Sequence, residues 1–131
     1  MEILRSKDSD DGVFWDWGIP TAVSTALVSR SVRIPVIASG GVRSGVDVAK
    51  SIALGASFGG AALPFLKAWK KGGSRGVSSL AASWEKELRI AMVLSGSRSL
   101  SELGKAKLAI TGKTAETLQL FHTDTKHLAA R

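Results

Sequence analysis

Hydrophobic and polar positions fall into blocks along this chain, and each block predicts an element. Residues 20–30 (PTAVSTALVSR) are small and aliphatic and open on Pro20, whose missing N–H costs nothing in the first turn of a helix. Residues 33–39 (RIPVIAS) are a short apolar run between turn signals and predict a buried strand, with Pro35 at its start. Gly40-Gly41 ends that strand. A helix then opens at Ser44 or Gly45 and runs through Leu54, with Val46, Ala49, Ile52 and Ala53 at helical spacing and Gly55 as its stop. Residues 57–62 (SFGGAA) predict a second strand, and Leu63-Pro64 starts a helix that reaches Lys70 or Lys71. After a loop at 71–76 (KGGSRG), a longer helix is expected from about Ser78 to Leu94. Its apolar stripe is Leu80, Trp84, Leu88, Ala91 and either Met92 or Leu94. A short helix at 99–103, a brief apolar segment at 108–110 and a last helix capped by Thr114 and ending near Phe121 complete the series.

Strands alternating with helices imply βαβ units with parallel strands, an α/β fold class. Two strands are too few, because a parallel pair needs cover on both faces and partners at both edges. Something else is expected to complete the sheet. The flanks carry less pattern. Residues 1–13 are polar and acidic and are expected to form a flexible N-terminal loop, and residues 122–131 a loose polar tail. Trp15 and Trp17 could stack on a ligand, but the favoured reading buries them at a junction between elements. The organisation expected is one partial domain, with the βα units in 14–71 and the C-terminal helices in 76–121.

Composition narrows the class. The chain has 131 residues, about half of the roughly 250 that a complete (β/α)₈ barrel needs. Hydrophobic residues at 44% and charged residues at 22% describe a globular chain rather than a disordered one. With no cysteine there are no disulfides, thiolate metal ligands or cysteine nucleophiles, which fits a reducing cytosol. No stretch approaches 18 consecutive apolar residues, and the charged N-terminus lacks the apolar core of a signal peptide, so the expected location is cytoplasmic, with no membrane span. The net charge of +7 is uneven: residues 1–16 carry −3 and the remainder +10. The basic residues are scattered rather than clustered, so solvated helix faces account for most of them better than nucleic acid does.

The chemistry concentrates at Ala38-Ser39-Gly40-Gly41-Val42-Arg43-Ser44-Gly45. Here a strand ends in two glycines and turns straight into a helix. Glycine lets backbone approach a ligand closely, the helix start presents N–H groups and a positive dipole end, and Arg43 adds a guanidinium suited to phosphate. Gly59-Gly60-Ala61-Ala62 repeats the arrangement ahead of Leu63-Pro64. Glycines alone could serve only tight turns. Two adjacent turns of this kind instead match the phosphate site after strands 7 and 8 of a (β/α)₈ barrel. The Gly-x-Gly-x-x-Gly fingerprint of a dinucleotide fold and the Gly-x-Ser-x-Gly elbow of hydrolases are both absent. His122 and His127, with Asp124 between them, are read as solvated tail residues rather than metal ligands. Asp47 and Lys50 are read as a solvated helix pair.

At these residues the chain resembles the C-terminal portion of type 2 isopentenyl diphosphate isomerases. The resemblance runs from about residue 14 to about 120. It rests on Trp15-Asp16-Trp17-Gly18-Ile19-Pro20-Thr21-Ala22-Val23-Ser24, the 38–45 segment, Ala53-Leu54-Gly55-Ala56, Ala62-Leu63-Pro64-Phe65-Leu66-Lys67, and Glu87-Leu88-Arg89-Ile90-Ala91-Met92 followed by Ser95-Gly96. The Gly-Gly-Val-Arg segment is shared with other flavin-dependent barrels. The Trp-Gly-Ile-Pro-Thr segment and the Glu-Leu-Arg-Ile-Ala-Met helix are more diagnostic. Ser57-Phe58 departs from the acidic and aliphatic pair common in the family.

The resemblance implies a (β/α)₈ barrel that holds reduced FMN and interconverts isopentenyl and dimethylallyl diphosphate in isoprenoid synthesis. NADPH is the implied reductant and magnesium the implied aid to diphosphate binding. It implies FMN-phosphate contacts at Gly41, Val42 and Arg43, with Ala62 and Leu63. The family's substrate, alkene-facing, magnesium-binding and remaining flavin-contacting residues belong to its pattern upstream of the matched part. No catalytic residue or metal ligand is therefore expected within this chain, which corresponds to about two βα units plus C-terminal helices and is predicted inactive by itself. The implied partners are the missing N-terminal half or further copies in a homo-oligomer. Two other readings stand beside this one. One is a non-catalytic half-barrel that self-associates and binds a phosphate-bearing ligand. The other is part of another FMN-dependent oxidoreductase barrel, although hydroxy-acid oxidases use a histidine near such turns and no histidine precedes His122.

Overall fold

The computed structural model describes residues 17–122. The acidic stretch at 1–13, Trp15, Asp124, His127 and all of the tail except His122 lie outside the described residues. The elements in order are α1 (Thr21–Ser31), β1 (Ile37–Ser39), α2 (Gly45–Ala53), β2 (Phe58–Gly60), α3 (Leu63–Leu94), α4 (Leu100–Leu103) and α5 (Gly112–Leu120). β1 and β2 pair in parallel with Ile37 opposite Phe58, Ala38 opposite Gly59 and Ser39 opposite Gly60. The chain is thus α/β, with α2 as the crossover between two parallel strands.

Both strands are shorter than their apolar runs. Residues 33–35 stay outside the ladder, where Pro35 has no N–H to offer. Pairing starts where the Val36 carbonyl accepts the amides of Ser57 (2.8 Å) and Phe58 (3.2 Å). α2 begins where predicted, with Ser44 as its N-cap accepting the Asp47 amide at 3.1 Å. Val46 faces outward, while Ala49, Ile52 and Ala53 are buried.

The expected loop at 71–76 contracts to a break at Gly72 (φ −146°, ψ 17°) and Gly73 (φ 55°, ψ −144°), with helix on both sides. The break folds α3 back on itself. Phe65 and Trp84 are 19 positions apart, which on a straight helix would separate them by roughly 28 Å. Their rings instead meet edge to face with centroids 5.1 Å apart. The stripe of the second half holds as Leu80, Trp84, Leu88, Ala91 and Met92, all half-buried, whereas Leu94 is exposed.

Two further expectations change. α5 starts at Gly112 with Thr111 at the cap position, so Thr114 lies inside the helix and caps nothing. Trp17 is not buried at a junction. It sits in the turn ahead of α1 and is 83% exposed. The segment at 108–110 forms no element, but Ile110 packs on the first of two apolar clusters among the described residues. That cluster joins Val23 and Ala26 of α1 to Leu118 of α5. The second joins Ala49 and Ile52 of α2 to Leu103 of α4, with Leu88, Ala91 and Met92 of α3 packed against it. α2 is therefore gripped between the sheet and α3. One sheet face is left bare: Ile37 is 65% exposed and Phe58 59%. No described helix is long and apolar enough to cross a membrane.

Candidate functional site

The two strand-to-helix turns lie side by side because β1 and β2 are neighbours in register, with Ser39 opposite Gly60. Gly40 (φ 96°) and Gly41 (φ 75°) turn the chain at the end of β1 through the left-handed region, which favours glycine. The chain leaves β2 through Ala61 and enters α3 with Ala62 at the cap and Pro64 in the first turn. Between the turns lies an open cleft of about 530 Å³. Gly41, Val42, Arg43, Ala62 and Leu63 all line it. The structure thus brings all five residues singled out in the sequence to one place.

The donors around the cleft are not equivalent. The Arg43 amide is held by the Asp47 carboxylate at 3.0 Å, and the Gly45 amide donates to the Glu87 carboxylate at 2.7 Å. Two carboxylates already satisfy the start of α2. Among the described residues, the amides of Gly41, Val42 and Leu63 have no such acceptor. What the α2 side offers an anion is therefore the Gly41-Val42 backbone and the Arg43 guanidinium, not the whole helix start. Among the described residues no acidic side chain lines the cleft, and Lys67 adds a second cation to it. An electropositive hollow with free amides at two chain turns suits a phosphate group.

Three residues missed in the sequence shape this site. Asp47 belongs to a capping arrangement with Ser44 rather than to a solvated pair with Lys50, and the Ser-x-x-acid spacing was the signal for it. Arg98-Ser99 and Glu102 repeat the arrangement at α4. Lys67 lies one turn into α3 from Leu63, at a spacing that shares a helix face. Glu87 reaches the turn from 42 positions away, and no local pattern announces it. It is half-buried, and a side chain at Gly45 would run into the Trp84 carbonyl beside it.

A larger hollow of about 730 Å³ lies between α3 and α4, lined by Leu88, Met92, Val93 and Leu100. Its Arg89 is already paired with Glu85 at 2.7 Å, and Glu85 places a carboxylate in its lining. Among the described residues, no three His, Asp or Glu side chains gather as a metal site.

Comparison with known proteins bears on the same stretch. The chain is 48% identical over 132 residues to the isopentenyl-diphosphate delta-isomerase of Methanothermobacter thermautotrophicus, covering all of this chain and 38% of that relative. It is 48% identical over 123 residues to the isopentenyl-diphosphate delta-isomerase of Thermococcus kodakarensis and 50% over 119 residues to that of Methanothrix thermoacetophila, each covering 91% of this chain and 33% of the relative. The chain thus spans about a third of the length of the curated relatives it matches. The family of FMN-dependent dehydrogenases matches residues 18–110, a stretch that contains both turns of the cleft, and the chain belongs to that family.

Proposed function

We propose that the cleft binds the phosphate of FMN and that the chain forms the FMN-phosphate-binding portion of an isopentenyl-diphosphate isomerase, converting isopentenyl to dimethylallyl diphosphate. The observation that carries this reading is the convergence of Gly41, Val42, Arg43, Ala62 and Leu63 on one cleft whose lining, among the described residues, holds no acidic group. The relatives' shared name supports the choice of reaction. The amides of Gly41, Val42 and Leu63 would donate to phosphate oxygens, and Arg43 would neutralise part of the charge. Ala62 brings the start of α3 close to the phosphate without a bulky side chain. Held by these residues, reduced FMN would supply the redox-active ring for the isomerisation. The chain's own task is to bind and orient that cofactor. NADPH would serve as reductant and magnesium would assist the diphosphate, with none of the described residues assigned to either.

The sheet is read as part of a (β/α)₈ barrel in the cytoplasm. Its bare face at Ile37 and Phe58 supports association with further βα units, from the rest of such a barrel or from another copy. Two results test the proposal. Titration of the chain should give tighter binding of FMN than of riboflavin, which lacks the phosphate. Arg43→Ala should weaken FMN about tenfold and leave riboflavin nearly unchanged, the loss of one charge-assisted contact. Equal weakening of both ligands would count against a phosphate role. Expressed by itself, the 131-residue chain should form no dimethylallyl diphosphate when given reduced FMN, magnesium and isopentenyl diphosphate. Sustained turnover in that assay would show that these two βα units suffice for the chemistry.

A further inference from the structure

We infer that Lys67 is the second cation of the phosphate cleft and helps set its preference for a phosphorylated flavin, an inference that rests on the phosphate reading above. The charge balance at the cleft calls for it. A phosphate monoester carries about −1.5 to −2 near neutral pH. On the α2 side its nearest cation is Arg43, but the carboxylates of Asp47 and Glu87 stand at the start of the same helix, bonded to the Arg43 and Gly45 amides. That wall is therefore not positive enough alone. The opposite wall is the start of α3, where Pro64 contributes no N–H. Lys67 makes up the difference from there.

Its geometry suits the role. Side chains on a helix lean toward the N-terminus, so a lysine four positions beyond Leu63 carries its ammonium back over the first turn. Lys67 lines the cleft, whereas Lys70 and Lys71 on the same helix do not. Among the described residues Lys67 makes no ion pair or side-chain hydrogen bond, unlike Arg89, which is committed to Glu85. The side chain is exposed, so neutralising it does not disturb a packed core.

The test is a titration of the full chain with FMN and with riboflavin in low-salt, phosphate-free buffer. The variants are Lys67→Gln, Lys67→Arg and Lys70→Gln, with Arg43→Ala alongside and circular dichroism to check folding. Lys67→Gln should raise the FMN Kd about tenfold and move riboflavin by less than about twofold. Lys67→Arg should recover most of the loss, and Lys70→Gln should bind FMN as the parent chain does. Unchanged FMN affinity in Lys67→Gln, with Arg43→Ala weakened, overturns the role of Lys67 and leaves the phosphate site standing. A parent chain that does not prefer FMN over riboflavin overturns the phosphate reading, and the role of Lys67 with it.

Discussion

Gly45→Ala is expected to lower the stability of the chain by about 2–3 kcal/mol, near the upper end of what overpacking one methyl group costs. On propensity alone the sign would be opposite, since alanine is the better helix former by about 1 kcal/mol. Packing decides. Gly45 is buried where α2 crosses α3, and an added Cβ would meet the Trp84 carbonyl and come within 2.8 Å of the Glu87 Cβ. The obstacle is the backbone of α3, which cannot swing aside as a flexible side chain would. The helices would have to part, loosening Ala49 and Ile52 from Leu88, Ala91 and Met92. A shift in the urea midpoint at unchanged slope measures the loss. A stabilised Gly45→Ala chain would mean that α2 and α3 do not cross this closely in solution.

Glu87→Ala should cost about 1–2 kcal/mol, and Glu87→Gln clearly less. The carboxylate accepts the Gly45 amide at 2.7 Å and places negative charge at the positive end of α2. Hydrogen bonds to charged groups contribute about 1.5–3 kcal/mol, and the half-buried position lowers that range through solvent screening. Alanine leaves the Gly45 N–H without its acceptor. Glutamine keeps a carbonyl oxygen in reach and gives up only the charge. The order of the two variants in chemical denaturation is the discriminating result. Equal losses would show that the negative charge, which both variants remove, and not the hydrogen-bond acceptor makes Glu87 important.

What could be read in advance follows the range of the interactions. The turn after β1 was legible because its causes are local: a short apolar run, two glycines and a Ser44 cap lie within a few residues of one another. The five cleft residues were legible for the same reason, since two successive βα turns must lie side by side when their strands pair in parallel. The strand ends were overdrawn because apolar character continues past the point where Pro35 withholds a donor. The fold-back of α3 showed in Gly72-Gly73, but its outcome, Phe65 against Trp84, is a tertiary fact. Glu87 reaches Gly45 across 42 positions, and periodicity carries no such information. The start of α5 was misplaced because Thr111 and Thr114 both suit a cap, and the sequence does not choose between them.

Among the described residues, the cleft draws its lining from one uninterrupted run, residues 39–67. Bringing its two walls together closes only the short excursion through α2, and the entropy of closing a loop grows with the logarithm of its length. The bond from Glu87 closes a longer loop and carries the larger ordering cost. The walls thus have low contact order, while the fastening behind them does not. A ligand held between the walls therefore also stabilises the helix beyond Gly73, because Glu87 ties that helix to Gly45 at the cleft's edge.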